Sequence, residues 1–538
     1  LETLTSLFLA ISFDNHSHFD IIPTYIGRDD MNFIYFILGL CPILWLIFAL
    51  TVLNWPTYKA AFGSLLISAL LSIAIWQQSF LNTFTAACEG FLMALWPIIV
   101  VIIAAVFTYN LSLRTRGMEI IKQMITSVSS DKRILVLLVA WCFGGFMEGM
   151  AGFGTAIAIP ASMLVALGFN PLFSCLVCLI ANGVPTPFGS IGIPTVTLAN
   201  LVGLENTQLA FTQTLQLAPF MILCPFLIVM ATGKGFKALK GVTLVTLVSG
   251  LSFLIPQMIV AKFVGAELCV VVGSVCSLLC TILLGSKVKP EPEYEMQLEA
   301  HEKITASKAL KAWSPFIFIF IFLLSTSKLV MPVNTYLSKF ATSTTIYTGD
   351  NPSTMTFTWI NTPGVWIFLS AILGGLIQKA TFRDFKVVFV ATLKQMSQTI
   401  ITMLCVLGCA KIMGYAGMIA SIASFAIAIT GSFYPFFAPW IGCLGTFVTG
   451  SGTSSGVLFG AVQESAAQSL QAEPYWIVAL NSLGVAAGKM LSPQSIAIAL
   501  SSVDGQGQDS KLLSMILPYG VGFIIAMSIV AYFGQMIF

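Results

Sequence analysis

Long apolar runs separated by short polar stretches dominate the chain. Several of these runs approach the ~20 residues that a helix needs to cross a hydrocarbon core of about 30 Å, and Phe33–Leu53, Val242–Val260 and Ile516–Phe533 are examples. Because other runs are short or interrupted, the pattern predicts roughly 12–14 transmembrane or re-entrant segments. The predicted fold class is therefore an all-α polytopic membrane protein.

Composition supports this class and narrows the chemistry. The 538 residues are 57% hydrophobic and only 9% charged, whereas soluble domains are about 25% charged. The net charge of +3 gives no reason to expect a nucleic-acid partner. The CLVC motif at 175–178 has the spacing of a zinc knuckle, but no second CxxC motif accompanies it. Buried inert thiols are therefore favoured, and neither a metal nor another cofactor is expected.

Positive side chains indicate the orientation of the predicted helices. The positive-inside rule places in the cytoplasm four stretches in which lysine and arginine cluster: Arg114–Arg133, Lys234–Lys240, Lys287–Lys311 and Lys379–Lys394. We interpret 286–312 as a cytoplasmic linker between an N-terminal transmembrane half at 31–285 and a C-terminal half at 313–538. The Ser/Thr-rich stretch Asn334–Asn361 has few charges and is expected outside. Residues 1–30 lack the features of a signal peptide and are interpreted as a polar extension outside the core.

The two halves contain matching motifs. FMEG at 146–149 recurs as FVTG at 447–450, 301 positions later, and ANGVPTPFGSIGIP aligns without a gap with LNSLGVAAGKMLSP. Three matches in the second alignment are each 299 positions apart: Asn182 with Asn481, Gly189 with Gly488, and Pro194 with Pro493. Recurrence at nearly one offset indicates an internal repeat.

Charge indicates how the two copies are oriented. The stretch 110–130, which precedes the first match, is basic, whereas 414–432, which precedes the second, carries no charge. If the copies are inverted, only the first stretch lies at the cytoplasmic surface, and only that stretch should be basic. We therefore interpret the halves as two inverted-topology repeats.

Four segments inside the apolar runs contain the glycines and prolines that break helices: 144–156, 182–195, 445–460 and 484–495. A helix broken within a bilayer frees backbone groups that lipid cannot satisfy, so the segment must line a cavity or pack within protein. Inverted repeats with helices broken at the midplane are typical of secondary transporters. The N–H groups freed at the start of a half-helix favour an anionic ligand.

Two charged residues lie within these segments. Glu148 is 15 residues from Arg133 and Lys489 is 16 from Glu473, or about 22–24 Å along a helix. A charge so deep in a bilayer costs about 2.5–3.5 kcal/mol and normally faces a cavity or a partner. We interpret Glu148 as the proton-coupling acid, with a structural ion pair as the alternative. Lys489 is interpreted as a counter-charge to an anionic substrate or to Glu148, with snorkelling to a surface as the alternative.

Hydroxyl and amide side chains complete the candidate site. A run of hydroxyls suits a carboxylate or a substrate hydroxyl, although small residues also permit close helix packing. Two equivalent asparagines either bind substrate or hold the broken helices together. The predicted substrate-binding residues, besides Lys489, are Asn182, Thr449, Ser451, Thr453, Ser454, Ser455, Asn481 and Ser492. The predicted hinge positions are Gly149, Gly152, Gly154, Gly189, Pro194, Gly450, Gly488 and Pro493.

Four long motifs closely resemble the L-lactate permease family of bacterial membrane transporters: EGMAGFGTAIAIPASMLVALGFNPL, CLIANGVPTPFGSIGIP, TGSGTSSGVLFGAVQ and GKMLSPQSIAIA. The resemblance covers nearly the whole chain from Met31. It implies a secondary carrier that takes up L-lactate, and related acids such as glycolate and D-lactate, with protons across the plasma membrane. By similarity, the acid of the EGxAGFG motif is Glu148 and the lysine of the GKMxSPQS motif is Lys489.

The chain also departs from the family pattern. Gly452 and Gly456 stand where polar residues are common, Ala156 replaces a usual proline, and Pro187 makes PVAFG read PTPFG. The two lost polar side chains leave a Na⁺-coupled or other small-carboxylate transporter of the same fold as the alternative. An intramembrane enzyme is disfavoured because all three histidines lie outside the predicted crossings. A receptor or channel is disfavoured because matched broken segments indicate alternating access.

Overall fold

The computed structural model describes residues 28–53, 55–152, 154–233, 235–296, 304–327, 329–350, 352–503, 505 and 507–537. The polar extension predicted for residues 1–30 therefore lies, apart from its last three residues, outside the described residues.

The part of the chain before the predicted linker is helical almost throughout. Its helices are α1 (Arg28–Thr51), α2 (Thr57–Ala74), α3 (Phe80–Arg114), α4 (Gly117–Thr126), α5 (Lys132–Met150), α6 (Thr155–Ala166), α7 (Pro171–Gly183), α8 (Gly189–Val202), α9 (Asn206–Ala231), α10 (Thr243–Phe263) and α11 (Cys269–Gly285).

The part that follows the predicted linker adds helices and one small antiparallel sheet. Its elements are α12 (Ala306–Thr326), α13 (Met331–Ser338), β1 (Ala341–Thr345), β2 (Thr354–Thr358), α14 (Pro363–Ile377), α15 (Phe382–Ala416), α16 (Met418–Thr430), α17 (Tyr434–Thr449), α18 (Gly452–Leu470), α19 (Pro474–Leu491), α20 (Pro493–Ser501) and α21 (Asp509–Gln535).

The expectation of an all-α polytopic membrane protein is confirmed. Among the described residues, ten helical segments are long and apolar enough to cross a bilayer. Two bent pairs, α7–α8 at 64° and α19–α20 at 46°, raise the number to twelve. Three shorter apolar helices, α6, α11 and α14, accompany them.

Side-chain caps and prolines fix the starts of the helices around the bends. Asn170 accepts hydrogen bonds from the backbone N–H groups of Leu172 and Phe173 at the start of α7. Glu473 accepts one from the N–H of Trp476 at the start of α19. Each helix has proline at its first position, where the missing N–H costs nothing. Caps of this kind contribute about 1 kcal/mol each.

The two ends of the helix bundle are identified by backbone contacts. Lys132 N–H donates to Tyr294 O and Met296 N–H donates to Ser130 O, both at 2.9 Å, so the start of α5 lies beside the predicted linker. We call this end the linker face. Helix α9 ends near it and is 26 residues long, or about 39 Å. At its other end, Glu205 N–H donates to Tyr475 Oη at 3.2 Å. We call this end the opposite face.

Helices α5 and α6 form a hairpin that starts and ends at the linker face. The start of α5 is bonded to the linker, and Gly168, just beyond α6, lies beside Met296. Near the tip, Gly144 on α5 packs against Ala156 and Pro160 on α6, as expected for antiparallel arms. The apolar window of α5 is buried over its whole length, so this helix contacts protein, not lipid.

Helices α17 and α18 form a second hairpin, which opens towards the opposite face. Tyr434 Oη donates to Gln463 Oε1 at 2.9 Å, and Ser455 Oγ donates to Gly442 O at 2.9 Å, so the two arms run antiparallel. Helix α19 follows directly and begins at the opposite face, where Tyr475 contacts Glu205. The hairpins thus enter the bundle from opposite ends, which is the arrangement that an inverted repeat requires.

Candidate functional site

The candidate site lies at the turns of the two hairpins and at the breaks in the two bent helix pairs. The first hairpin turns between α5 and α6, and the second turns at Gly450 between α17 and α18. In α8, residues Ser190, Ile191 and Gly192 all have left-handed φ values of 48°, 59° and 73°. Helices α19 and α20 are separated by Ser492. At the offset of 299, the left-handed segment of α8 falls on 489–491, directly before the bend at Ser492.

Glu148 lies in the last turn of α5 and is only 4% exposed. Its Oε2 accepts a hydrogen bond of 2.8 Å from Asn182 Nδ2 on α7. Gly189, the first residue of α8, lies so close that a side chain there would overlap Glu148 Oε1. The carboxyl group is therefore enclosed by the first hairpin and the bend between α7 and α8.

Lys489 reaches the same region from the other half of the chain. It lies near the end of α19, is 6% exposed, and donates from Nζ to the carbonyl oxygen of Gly450 at 2.8 Å. The ammonium is near enough to Glu148 to interact with it electrostatically. The two described side chains do not form a direct ion pair. The structure thus brings the two predicted charges into one region without pairing them directly.

A second hydrogen bond repeats the Lys489 contact in the first half. Ser190 Oγ donates to the carbonyl oxygen of Ala151 at 2.8 Å. Ser190 and Lys489 are 299 positions apart, and Ala151 and Gly450 both lie at the end of the first arm of a hairpin. In each half, a side chain at the bend of the broken helix therefore holds a carbonyl at the hairpin tip. Sequence reasoning did not identify Ser190, although the repeat offset from Lys489 pointed to it.

The predicted hydroxyls surround the tip of the second hairpin. Ser451 Oγ accepts from Ser454 N–H at 3.2 Å and caps α18. Thr449 Oγ1 donates to Gly445 O at 2.7 Å, while Ser455 joins the two arms as described above. Thr453 and Ser454 are buried in the first turn of α18. In this conformation, three of the five hydroxyls shape the hairpin itself.

The predicted asparagines and Ser492 have unused hydrogen-bonding groups. Among the described residues, Asn182 Oδ1, both polar side-chain atoms of Asn481, and Ser492 Oγ are buried without a partner. An unsatisfied buried polar group costs about 1–3 kcal/mol, so such groups are uncommon in folded proteins. These amide and hydroxyl groups are available to a polar ligand.

The predicted hinge residues do not all lie at bends. Gly152, Gly154 and Gly450 have left-handed φ at the hairpin tips, and Pro493 is the first residue of α20. Gly189 lies at the break between α7 and α8 and has an extended backbone. Pro194 follows the left-handed segment of α8, whereas Gly149 lies within α5 and Gly488 within α19.

Gln213 is a buried polar residue that sequence reasoning missed. It lies on α9, where its Oε1 accepts from Thr195 Oγ1 on α8 at 2.6 Å and its Nε2 donates to Ser482 Oγ on α19 at 2.7 Å. A glutamine inside an apolar run was the available signal. The side chain joins the two bent pairs beside the site.

A second buried acid, Glu89 on α3, was also missed. Its carboxylate pairs with Lys411 Nζ on α15 at 2.8 Å and accepts hydrogen bonds from the hydroxyls of Tyr415 and Ser353 at 2.8–3.0 Å. An acid and a lysine inside apolar helices were the available signal. Because Glu89 is surrounded by donors and a paired cation, it differs from Glu148, which has one amide donor and no direct ion pair.

Comparison with known proteins gives a consistent family assignment. A family model described as L-lactate permease matches residues 35–538. An L-lactate permease of Streptococcus iniae is 44% identical over 443 residues, which cover 82% of this chain and 93% of the relative.

Two further relatives extend nearly as far along the chain. The L-lactate permease of Escherichia coli (strain K12) is 33% identical, and the alignment covers 91% of this chain and 94% of that relative. The glycolate permease GlcA of the same strain is 30% identical, and the alignment covers 93% of this chain and 96% of that relative.

Proposed function

Because the chain belongs to the L-lactate permease family, we propose that it takes up L-lactate and related 2-hydroxymonocarboxylates, including glycolate and D-lactate, by proton symport. It is a multi-pass membrane transporter and not an enzyme. Relatives named for lactate and for glycolate both align along most of the chain, which supports a small 2-hydroxy acid as the substrate.

One observation carries the proton-coupling part of the proposal. Glu148 is buried at a hairpin tip, it is held by one amide donor, and it is near Lys489 without a direct ion pair. A carboxyl group in this setting can take up a proton and release it without breaking a salt bridge. One lactate anion carried with one proton moves no net charge, so a single titratable acid is sufficient.

We assign the substrate carboxylate to Lys489 and the neighbouring polar groups. The Lys489 ammonium donates to the Gly450 carbonyl in this conformation, and a carboxylate is a stronger acceptor because it is charged. The unused groups of Asn182, Asn481 and Ser492 are suited to the substrate hydroxyl and the second carboxylate oxygen. The hydroxyls of 449–455 form the adjoining wall.

We further propose the orientation in the plasma membrane. The linker 286–312 lies in the cytoplasm between the halves at 31–285 and 313–538, in accordance with its five lysines. The opposite face is then extracellular. A protease site inserted in the linker should be cut only in permeabilised cells, whereas cleavage in intact cells would reverse the orientation.

Uptake of labelled L-lactate into proteoliposomes tests the function. An imposed inward proton gradient in sodium-free buffer should drive accumulation, and a protonophore should abolish it. Accumulation that requires a sodium gradient and ignores the protonophore would support the Na⁺-coupled alternative. Unlabelled glycolate and D-lactate should compete, whereas acetate, which lacks the hydroxyl group, should compete weakly.

A further inference from the structure

The end of α3, the start of α12 and the turn between α14 and α15 meet at one place on the linker face, since α12 begins directly after the predicted linker. Gln378 joins these segments. Its Nε2 donates to the carbonyl oxygens of Lys311 and Ala312 at 3.1 and 2.9 Å, and its Oε1 accepts from Thr115 Oγ1. Gly117, at the start of α4, lies against the same side chain. Gln378 therefore connects helices from both halves of the chain.

The surface around Gln378 carries an excess of positive charge. Arg114 Nε pairs with Asp384 Oδ1 at 2.9 Å, and Lys122 interacts electrostatically with Glu119, so each of these two acids already has a basic partner. Six further cations are exposed and have no ion-pair partner among the described residues: Arg116, Lys308, Lys311, Lys379, Arg383 and Lys386. We call this group of six the basic junction.

Two of these cations stand where glycine is the usual residue. Arg116 and Lys379 each lie two positions beyond the last residue of a helix, α3 and α14, and have left-handed φ values of 60° and 64°. After α6, the same position is Gly168, which is the common way to end a helix. A left-handed backbone is unfavourable for a residue with a side chain. The chain therefore places a charged side chain at both turns at the expense of backbone strain.

Apolar side chains border the basic junction. Phe382, directly before Arg383, is 86% exposed, and Leu376 in the last turn of α14 is 57% exposed. In a chain that crosses a bilayer, exposed apolar side chains at helix ends contact acyl chains, while neighbouring lysine and arginine side chains extend to the headgroups. The junction therefore offers cations to a phosphate and apolar surface to an acyl chain at the same boundary.

We propose that the basic junction binds an anionic phospholipid, with Arg116 and Lys379 holding the phosphate and Phe382 and Leu376 contacting the acyl chains. Clusters of about four to eight lysine and arginine residues beside a membrane helix are typical of anionic-lipid sites. Setting the orientation of the chain requires only the number of charges on this face, and not two cations at strained turns. The inference does not rest on the proposed function. A bound lipid would link the two halves at the linker face.

The first test measures the binding of fluorescently labelled phosphatidylglycerol to protein purified in a neutral detergent, with labelled phosphatidylcholine as the reference. The parent chain should bind phosphatidylglycerol more tightly, and equal affinities would contradict the proposal. In Arg116→Gly/Lys379→Gly, the affinity for phosphatidylglycerol should fall about 10- to 30-fold. The melting temperature without lipid should not fall, because glycine removes the left-handed strain. An unchanged affinity would overturn the lipid site.

Two further variants separate the site from charge in general. Lys237→Gln/Lys240→Gln removes the same charge from the loop between α9 and α10 on the same face, and its affinity should stay within about twofold of the parent chain. A loss equal to that of the glycine variant would mean that the lipid responds only to net charge. Arg116→Asn/Lys379→Asn removes the two charges with a residue that tolerates left-handed φ. It should bind as weakly as the glycine variant, and parent-like binding would contradict the proposal.

Phe382→Ala distinguishes a lipid from a free phosphate. Loss of the contact with the acyl chains should weaken phosphatidylglycerol binding about tenfold. Phe236→Ala is the matched control, because Phe236 is 82% exposed beside Lys237 in the α9–α10 loop, and its affinity should stay unchanged. A large excess of inorganic phosphate should not displace the lipid. Displacement by phosphate, together with parent-like binding by Phe382→Ala, would identify a site for small anions and refute the lipid site.

Discussion

The two hairpin tips share one backbone plan and carry different chemistry. In the first half, a bend residue, Ser190, holds the Ala151 carbonyl, and the tip presents the carboxyl group of Glu148. In the second half, the equivalent bend residue is Lys489, which holds the Gly450 carbonyl. The position equivalent to Glu148, at an offset of 301, is Thr449. Each half therefore supplies one ionisable group and one hydroxyl, in opposite places.

This exchange places a single acid and a single base at one centre. If both halves carried the acid, two buried carboxylates would repel each other. If both carried the lysine, two buried ammonium groups would repel each other. Under the proposed symport, one copy of each charge is sufficient for a proton and an anion. The comparison teaches that the matched motifs give both halves similar hairpins and broken helices, whereas the positions at which the motifs differ carry the two charges.

The largest effect is expected for Glu148→Gln. The glutamine Oε1 can still accept the Asn182 bond, so the protein should insert and fold, but the side chain cannot carry a proton. Accumulation driven by a proton gradient should be lost completely, while exchange of labelled for unlabelled lactate continues. Both are measured in the same proteoliposomes.

Glu89→Gln gives the contrast with another buried acid. Leaving Lys411 without its carboxylate should lower stability by about 3–5 kcal/mol, which a melting curve would record. Accumulation per folded molecule should persist. If Glu89→Gln uncoupled transport and Glu148→Gln did not, the proton site would have been assigned to the wrong acid.

The next effect is expected for Lys489→Gln, which removes the only charge that the second half contributes to this centre among the described residues. Loss of a charged hydrogen bond to the substrate should raise the KM for lactate about 10- to 100-fold. Lys489→Arg keeps the charge and should recover part of the affinity. A KM unaffected by either substitution would mean that Lys489 only holds the hairpin carbonyl.

A smaller effect is expected for Gly189→Ala. The added methyl group would overlap Glu148 Oε1, and overpacking of this kind costs about 1–3 kcal/mol. Uptake should fall about tenfold as the carboxyl group is displaced. Gly522→Ala on α21, where a Cβ atom meets nothing within 4 Å, is the control. Equal activity of the two variants would show that the carboxyl position tolerates displacement.

The sequence predicted the parts of the site that composition makes visible. Glycines and prolines inside apolar runs indicate the bends. Glu148 and Lys489 could be identified because charged residues are rare in membrane-spanning segments. Their proximity could be expected only through the repeat, and their geometry could not be predicted. Ser190 was missed because its role depends on a left-handed backbone and on a carbonyl 39 residues away. Neither feature can be predicted from the type of residue at position 190.

The same reasoning explains why other parts were not predicted. Gln213 joins α8 and α19 because α9 packs between these two bent helices, and this packing cannot be predicted from the local sequence. The sequence therefore predicted which segments break, and tertiary packing determined which hydroxyls and amides surround the breaks.

The smallest effect is expected for Ser190→Ala, which compares the two halves directly. The variant loses one buried hydrogen bond, worth about 1 kcal/mol, and should lower stability by that amount while changing uptake no more than a few-fold. Proton-driven accumulation should remain, because Ser190 carries no charge and holds only a carbonyl. Uncoupling as complete as that of Glu148→Gln would mean that the first bend takes part in proton transfer. Proton transfer would then involve both the hairpin tip and the bend of the first half.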